Sequence, residues 1–238
     1  MNSTDDALAE QLDYYRARAP EYDEWWLRQG RYDRGPEQKA AWVAETREVA
    51  ATLAEFRPRG RVLELACGTG IWTEQLLPFA EELTAVDGSG ETLAINATRL
   101  RSPKIRYVEA DLFRWQPREK FDTVFFSFWL SHVPPERFDD FWSMVGGCLA
   151  PGGRVFFVDS LREPGSIAVN HALPVEPGTT LQRKLNDGRE FTIYKVFYAP
   201  DELACALARI GWRAEVRQTP RFFLHGAASR RSPAHFSP

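Results

Sequence analysis

The pattern of hydrophobic and polar positions changes near residue 60 of the chain. Before that point, helical periodicity broken by prolines predicts three helices, at residues 7–18, 21–28 and 36–56. After it, short apolar runs alternate with helical stretches, and the runs predict five strands, at residues 61–66, 82–87, 105–111, 121–128 and 154–160. This alternation predicts an α/β fold with a parallel, Rossmann-like sheet and helices on both of its faces.

The regular alternation ends after residue 160. Two apolar runs around the turn Asn186-Asp187-Gly188 predict an inserted β-hairpin at 181–198. A helix at 200–210 and a last, antiparallel pair of strands at 213–218 and 222–225 follow. We therefore expect a helical lid region at 1–60, a main domain at 61–225 that includes the hairpin, and a disordered tail at 226–238.

Composition and charge narrow the class of protein. With 44% hydrophobic and 26% charged residues, the 238-residue chain is typical of a globular protein, and its net charge of −3 gives no reason to expect nucleic acid. The acidic N-terminus does not resemble a secretory signal, and no apolar run approaches the roughly 20 residues of a membrane span. Three cysteines far apart fit neither disulfides nor a zinc site. We expect a cytoplasmic protein that acts on a small molecule, without nucleic-acid or membrane partners; the sequence does not give its oligomeric state.

The sharpest local pattern is a strand that leads into a glycine-rich turn and then a helix, in the segment Val62-Leu63-Glu64-Leu65-Ala66-Cys67-Gly68-Thr69-Gly70. Gly68 and Gly70 lack a Cβ atom, so the backbone there can approach a ligand closely. The alternative is a tight connection between strand and helix that binds no ligand.

Acidic residues follow the next two strands. Asp87 ends the second strand, where a carboxylate accepts hydrogen bonds from both hydroxyls of a ribose. Asp111 and Leu112 follow the third strand, where we expect an adenine. The alternative for Asp111 is the capping of a helix or turn.

These segments together resemble a known family. VLELACGTG, LTAVDGS and YVEADL are similar to the first three motifs of the class I methyltransferases that depend on S-adenosylmethionine (SAM), and the resemblance spans roughly residues 12–225. It implies a seven-stranded sheet with an antiparallel last strand. It also implies that Glu64 lies beneath the methionine moiety and that the backbone of residues 66–70 holds the amino-acid end. The residues expected to bind SAM are Tyr22, Glu64, Ala66, Gly68, Gly70, Asp87, Gly88, Asp111, Leu112 and Ser127.

A dehydrogenase is the main rival for a Rossmann-like sequence. Its turn prefers three glycines in the pattern G-x-G-x-x-G, but Thr73 stands at the third position after Gly68 and Gly70. The third glycine serves a pyrophosphate, which SAM lacks. The sequence therefore favours SAM over NAD.

The segments after the fourth and fifth strands argue against two classes of methyl acceptor. Enzymes that methylate nucleobase amines carry Asn or Asp, two prolines and an aromatic residue after the fourth strand, but here the segment is Ser127-Phe128-Trp129-Leu130. Asp159 ends the fifth strand, where catechol-type enzymes bind magnesium, but partner carboxylates are not evident. We predict no metal.

Aromatic residues are concentrated in the N-terminal helices, at Tyr14, Tyr15, Tyr22, Trp25 and Trp26. They predict a lid that closes over SAM and the acceptor, with Tyr14 and Trp26 binding the acceptor. The alternative is a pair of helices that bury these rings against the sheet. For Arg18 we leave open whether it pairs with the SAM carboxylate or is solvated.

The predicted hairpin contains Arg183 and Lys195, whose relative placement depends on the turn. A three-residue loop at 187–189 places Arg183 opposite residue 193, with Lys195 diagonal to it on the same face. A two-residue loop at 187–188 places the two side chains on opposite faces. On one face they would bind a common anion. The alternative is a charged surface hairpin that is merely solvated.

A second resemblance concerns this C-terminal part. LQRKLNDGREFTIYKVFYAPDEL and LARIGW are similar to the phosphonate O-methyltransferases of dehydrophos biosynthesis, which implies that Arg183 and Lys195 hold an anionic acceptor. We therefore predict methyl transfer from SAM to an oxygen of a small phosphonate, phosphate or carboxylate.

Two alternative functions remain open. An ionised oxygen needs no general base, but a neutral natural product accepting at O or N would need one, and His132 is then the candidate catalytic residue. The alternative for His132 itself is the capping of a helix near Pro135. The alternative of another class is a SAM-binding module without catalysis.

Overall fold

The computed structural model describes residues 4–171, 173 and 179–231 of the chain. The helices are α1 (Thr4–Arg18), α2 (Tyr22–Leu27), α3 (Pro36–Phe56), α4 (Ile71–Leu76), α5 (Gly90–Leu100), α6 (Phe138–Cys148) and α7 (Pro200–Arg209). The strands are β1 (Arg61–Leu65), β2 (Glu82–Asp87), β3 (Ile105–Glu109), β4 (Phe121–Ser127), β5 (Leu149–Ser160), β6 (Thr180–Lys184), β7 (Glu190–Tyr194), β8 (Trp212–Gln218) and β9 (Phe223–Arg230). In these ranges no helix has the length and apolar character needed to cross a membrane.

Seven strands form one sheet in the order β3-β2-β1-β4-β5-β9-β8. The strands from β3 to β5 in this order are mutually parallel, whereas β9 runs antiparallel to both β5 and β8. The predicted Rossmann-like sheet with an antiparallel strand is thereby confirmed. β6 and β7 form the inserted hairpin as a separate two-stranded sheet.

The central strands are apolar on both faces because packed side chains cover both sides of the sheet. In β4, Phe125 and Phe126 point to opposite sides and belong to separate core clusters. Phe125 stacks on Phe156 with ring centroids 6.3 Å apart, and Phe126 stacks on Phe157 at 5.8 Å. All four are buried, and the burial of each stabilises the fold by roughly 1.5–3 kcal/mol. This packing fixes β4 and β5, at whose carboxyl ends the candidate functional residues lie.

The prediction that the chain is disordered from residue 226 is wrong for residues 226–230. β9 continues to Arg230, and Gly226 lies opposite both Phe157 and Val216. A Cβ atom at Gly226 would lie 2.6 Å from the Glu215 carbonyl oxygen and 2.8 Å from Phe157 Cζ. The missing side chain of Gly226 therefore lets β9 fit between its two neighbours. Residues 232–238 of the predicted tail lie outside the described residues.

Helix α1 is fixed to the hairpin and to the loop after β4 by hydrogen bonds from two of its side chains. Glu10 accepts a hydrogen bond from the Thr192 backbone nitrogen at 2.7 Å. Gln11 accepts one from the Tyr194 nitrogen at 2.9 Å and donates one to the His132 carbonyl oxygen at 3.1 Å. These bonds hold α1 against β7 of the hairpin and against the loop after β4.

The register of the hairpin differs from both registers considered from the sequence. Leu185 donates a backbone hydrogen bond to Arg189, so the loop is residues 186–188, and Arg183 lies opposite Phe191. The Lys195 nitrogen donates to the Thr179 carbonyl oxygen at 2.8 Å. Position 195 therefore pairs with position 179, which precedes β6 directly and lies four residues before Arg183, so Arg183 and Lys195 share a face. The same-face outcome of the three-residue loop is right, although its register is wrong.

Candidate active site

A cavity of about 360 Å³ lies at the carboxyl ends of the parallel strands, beneath α1 and α2. Eight of the ten residues expected to bind SAM line it, namely Tyr22, Ala66, Gly68, Asp87, Gly88, Asp111, Leu112 and Ser127. Among the described residues, Glu64 and Gly70 do not line it. The structure thus brings together residues that lie up to 105 positions apart in the sequence.

The turn after β1 explains why only one of its two glycines faces the cavity. Gly68 has φ of +52°, and a Cβ atom built there meets nothing within 4 Å, so its surface is open to a ligand. Gly70 has φ of +94°, and a Cβ atom there would lie 2.6 Å from Asn96 Oδ1. Asn96, which the sequence did not single out, also donates to Thr73 Oγ1 at 2.9 Å and accepts from the Tyr107 hydroxyl at 2.9 Å. A glycine is therefore required at position 70 because Asn96 of α5 packs against it, and Gly70 does not line the cavity.

Asp87 holds the turn in place as well as facing the cavity. Its Oδ2 atom accepts a hydrogen bond from the Gly68 nitrogen at 2.8 Å, and its Oδ1 atom accepts one from the Ser89 nitrogen at 2.9 Å. Burial raises the pKa of the Asp87 carboxyl, and the backbone donors act in the opposite direction. Each oxygen keeps a further lone pair, which is what the predicted ribose contact needs.

Glu64 is a buried carboxyl group at the bottom of the turn. Its side chain is 1% exposed, and neither of its oxygens has a hydrogen-bond partner among the described residues. Burial raises the pKa of Glu64 to about 8, and the nearby Thr73 side chain acts against that effect. Leaving such a group without a partner is costly, and a nearby cation offsets that cost. An unpartnered buried carboxyl would suit the ammonium group at the amino-acid end of SAM, but Glu64 does not line the cavity, so this contact stays a prediction.

Asp111 has the role that the sequence analysis gave as its alternative. Its Oδ1 atom accepts a hydrogen bond from the Phe113 nitrogen at 2.9 Å, so the side chain caps the turn after β3. The carboxyl also lines the cavity next to the buried Leu112. Contact of these two residues with an adenine stays a prediction.

A second cavity, of about 70 Å³, adjoins the first. Tyr15, Tyr22 and Phe128 line both cavities, and we call these three residues the seam. Four residues predicted for catalysis or acceptor binding line the smaller cavity, namely Tyr14, His132, Arg183 and Lys195. Its wall also contains His171 and residues that the sequence analysis did not assign to the acceptor, among them Arg18, Tyr32 and Ser160.

Trp26 was predicted to bind the acceptor, and the structure places it elsewhere. Trp25, and not Trp26, is among the described residues that line the smaller cavity. The Trp26 ring packs against Trp42 and Trp72, with centroids 5.9 and 5.7 Å away. Trp26 is therefore half-buried between helices and does not reach the smaller cavity, because α2 turns it toward α3 and α4.

Lys195 is held in the smaller cavity by groups at the ends of β4 and β5. Its ammonium donates to Ser131 Oγ at 2.7 Å and lies 3.5 Å from Asp159 Oδ1. Asp159 also accepts hydrogen bonds from the Ser131 and Ser160 nitrogens, at 2.8 and 2.7 Å. Burial lowers the pKa of Lys195, and the Asp159 carboxylate acts against that effect. Asp159, considered as a magnesium ligand, instead pairs with Lys195.

Within the residues that the structure describes, no group of three His, Cys, Asp or Glu side chains is placed to hold a metal ion. The absence of a metal from the reaction stays a prediction.

Arg183 is as buried as Lys195, at 7% exposure, and the described residues give its guanidinium one long hydrogen bond, of 3.5 Å to the Gln182 carbonyl oxygen. It therefore retains donors for an anion.

His132 has a defined tautomer because its two ring nitrogens have different partners. Nδ1 lies 2.6 Å from the Tyr194 carbonyl oxygen, which can only accept, so Nδ1 carries the proton. Nε2 therefore accepts the Tyr15 hydroxyl proton at 2.8 Å. Burial, followed by the charge of Lys195, holds the pKa of His132 well below its ordinary value, so the ring is neutral. The capping alternative is wrong, because the short 3-10 helix Pro135–Arg137 is preceded by Pro134 and receives no hydrogen bond from a capping side chain.

The fold and this site together define a class of protein. The sheet is parallel except for one antiparallel strand, a glycine turn follows β1, and an acidic residue ends β2 beside the larger cavity. These are the features of class I SAM-dependent methyltransferases. The family model described as a methyltransferase domain matches residues 62–153.

Comparison with solved structures then shows the family. The structure of DhpI in complex with SAM and HEP is 38% identical and has a TM-score of 0.78, covering 96% of this chain and 100% of DhpI. DhpI in complex with SAH is 37% identical with a TM-score of 0.76, covering 96% and 98%. The chain belongs to the class I SAM-dependent methyltransferases, and the predictions of the class and of SAM as its cofactor are confirmed.

Curated relatives are also methyltransferases. Trans-aconitate 2-methyltransferase of Rhizobium leguminosarum bv. trifolii is 35% identical over 127 residues, which are 50% of this chain and 47% of the relative. The chain thus matches about half the length of that relative. Ubiquinone biosynthesis O-methyltransferase of Xanthomonas axonopodis pv. citri is 29% identical over 217 residues, covering 86% of this chain and 81% of the relative.

Proposed function

We propose that this protein transfers the methyl group of SAM to an oxygen of a small anionic metabolite, such as a phosphonate, phosphate or carboxylate. The observation that supports this proposal is the placement of two buried cations, Arg183 and Lys195, on one wall of the smaller cavity. Buried cations are retained in proteins where an anion offsets their cost. Lys195 has Asp159 as such a partner, whereas no salt bridge joins Arg183 to a described carboxylate.

The seam between the two cavities is where the methyl donor and the acceptor would meet. Methyl transfer is an in-line displacement, so the main requirements are alignment of the two ligands and exclusion of water. Tyr15, Tyr22 and Phe128 would supply the apolar and aromatic walls for both ligands. Phe128 has φ of +52°, a conformation that L residues rarely adopt, and such backbone strain is concentrated at functional sites.

The residues of the site have separate tasks in this proposal. Bound SAM supplies an activated methyl group on its sulfonium sulfur. Gly68 and Asp87, which line the larger cavity, would hold the donor together with the buried Glu64 carboxyl beneath the turn. Arg183 and Lys195 bind oxygens of the anion and leave another oxygen facing the seam. Because that oxygen is already ionised, no residue has to remove a proton.

The names of the relatives support an oxygen acceptor, and one of them supports an anionic one. One DhpI structure holds SAM together with HEP. One curated relative is named for trans-aconitate, and another is an O-methyltransferase. Since related sequences need not share an acceptor, the identity of the metabolite has to come from experiment.

The decisive experiment is a screen with methyl-labelled SAM. Carboxylic acids, phosphonates, phosphates, phenols and amines are offered as separate pools, and the labelled product is identified by mass spectrometry. We expect label in an acidic pool, in a form that is released as an ester. Label confined to phenols or amines would contradict the proposal. SAM binding without label in any pool would favour the non-catalytic module.

Variants with matched controls on the same hairpin test the two cations. Lys195→Met and Arg183→Gln should raise the acceptor KM at least roughly tenfold and leave the SAM dissociation constant nearly unchanged. Lys184→Met and Arg189→Gln are the controls, because these side chains are exposed and pair with Glu190 and Asp187. Equal loss of acceptor and SAM binding would mean that Lys195 and Arg183 support the fold instead.

One observation favours a second candidate, methylation of a neutral natural product. The Tyr15 hydroxyl lies at the seam and donates to His132 Nε2, so a proton taken up by Tyr15 from an acceptor has a route to a neutral imidazole. The lowered pKa of His132 makes it a weak base, which argues against this route. A collapse of kcat in both Tyr15→Phe and His132→Ala would favour it.

A further inference from the structure

A third cation faces the smaller cavity, and it comes from the opposite end of the chain. Arg18, the last residue of α1, lines this cavity together with Arg183 and Lys195. We propose that Arg18 binds the acceptor anion and does not bind the carboxylate of SAM. This inference rests on the proposed function, since it assigns a further binding residue to the same acceptor site.

The surroundings of Arg18 leave its charge without a partner of opposite sign. The side chain is 9% exposed, and its Nε atom is buried without a hydrogen-bond partner among the described residues. Nη2 donates one long bond, of 3.4 Å, to the Tyr32 hydroxyl. No salt bridge joins Arg18 to a carboxylate in the described part of the chain. A buried guanidinium with unused donors is suited to a ligand anion.

The position of Arg18 relative to the seam decides which ligand it faces. Its guanidinium carbon lies 4.8 Å from the centre of the Tyr22 ring and 5.6 Å from that of Tyr14. Tyr22 belongs to both cavities, whereas Tyr14 and Arg18 are among the described residues that line the smaller one and not the larger one. Arg18 therefore lies on the acceptor side of Tyr22.

The charges around the smaller cavity support the same assignment. Arg18, Arg183 and Lys195 face it, and Asp159 is the carboxylate that contacts one of them, at 3.5 Å from Lys195. The two histidines of the wall add no charge, since burial and these cations lower the pKa of His171 to about 4 and that of His132 well below its ordinary value. The cavity wall thus has a surplus of positive charge that an anion from solution would offset.

Thermal unfolding with inorganic phosphate as the probe tests the site without an identified acceptor. We expect phosphate to raise the Tm of the wild-type protein by about 5 °C over potassium chloride of equal ionic strength, as a ligand well above its Kd does. Arg18→Gln and Arg183→Gln should lose most of this shift, Arg18→Lys should retain part of it, and the exposed control Arg189→Gln should keep it. Circular dichroism of each variant in chloride confirms that it is folded.

Steady-state kinetics with the acceptor found by the label screen complete the test. Arg18→Gln should raise the acceptor KM roughly tenfold or more, with SAM affinity by calorimetry unchanged. A tenfold loss of SAM affinity with an unchanged acceptor KM would overturn the inference, as would no change in either quantity. If Arg183→Gln loses the phosphate shift and Arg18→Gln keeps it, the inference fails and the proposed function stands. If phosphate fails to protect the wild-type protein and only neutral pools are labelled, the proposed function fails as well.

Discussion

Replacement of Glu64 by glutamine should stabilise the protein without ligand and weaken its binding of SAM. Glu64 is buried, and its pKa is raised from an ordinary 4.5 to about 8, chiefly by burial. The unfolded chain ionises this carboxyl above pH 4.5, whereas the folded protein keeps it protonated. The unfolded state therefore binds fewer protons, and the free energy of unfolding of the wild-type protein falls as the pH rises from 4.5 to about 8.

The size of the effect follows from the gap between the two pKa values. One pKa unit corresponds to about 1.4 kcal/mol, so a gap of this width sets an upper limit of roughly 5 kcal/mol. Relaxation of the surroundings around an ionised carboxylate reduces the effect, and we expect about 2–4 kcal/mol. The glutamine variant lacks this ionisation. Its advantage over the wild-type protein should therefore grow between pH 5 and pH 8 and level off above that.

Urea denaturation at pH 5, 6, 7 and 8, followed by circular dichroism, measures this advantage. Glu48→Gln on the exposed surface of α3 is the matched control and should change stability by less than about 0.5 kcal/mol. Calorimetry should show weaker SAM binding by Glu64→Gln, because the variant cannot pair with the ammonium group. A stability difference that does not vary with pH would refute the reasoning from burial. Unchanged SAM affinity of Glu64→Gln would refute the placement of Glu64 beneath the methionine moiety.

Three further predictions concern the ribose contact, the glycine turn and the buried histidine. Asp87→Ala should weaken SAM binding by roughly 1.5–3 kcal/mol for each lost hydrogen bond, and unchanged affinity in calorimetry would count against the ribose assignment. Gly70→Ala should lower the free energy of unfolding by roughly 1–3 kcal/mol, because its φ is +94° and the new Cβ atom meets Asn96 at 2.6 Å. Gly147→Ala, where a Cβ atom meets nothing within 4 Å, is the control for denaturation. His132→Ala should change kcat less than roughly tenfold with an ionised acceptor, and a larger loss would point to base catalysis.

The sheet and the cofactor side of the site could be predicted because their signals are local. A parallel strand covered on both faces is an apolar run, and the turn after β1 is a short string with glycines at fixed spacing. Gly70 shows the limit of that reading. Its missing side chain makes room for Asn96 on α5, a contact across 26 positions that the spacing of the turn does not show.

The acceptor side depends on contacts between distant segments, so its details did not follow from the sequence. Arg18 and Tyr15 reach the smaller cavity because α1 is bonded to the hairpin through Glu10 and Gln11. The same two side chains bind backbone nitrogens of β7. The observed pairing of β6 with β7 is one that the residues of the turn alone did not predict. The end of β9 was missed for a related reason, since Gly226 looks flexible until Phe157 and Glu215 are placed beside it.

The position of β9 has a consequence for the order in which the protein can fold during synthesis. β9 follows both of its neighbours in the chain, yet it lies between them, and it is the sheet partner of β8. Until the ribosome has released residues 223–230, β5 has an unpaired edge and β8 has no strand beside it. Such an edge is prone to aggregation in a nascent chain. Substitutions in β9 should therefore reduce the yield of folded enzyme, while the molecules that do fold keep their ligand affinities.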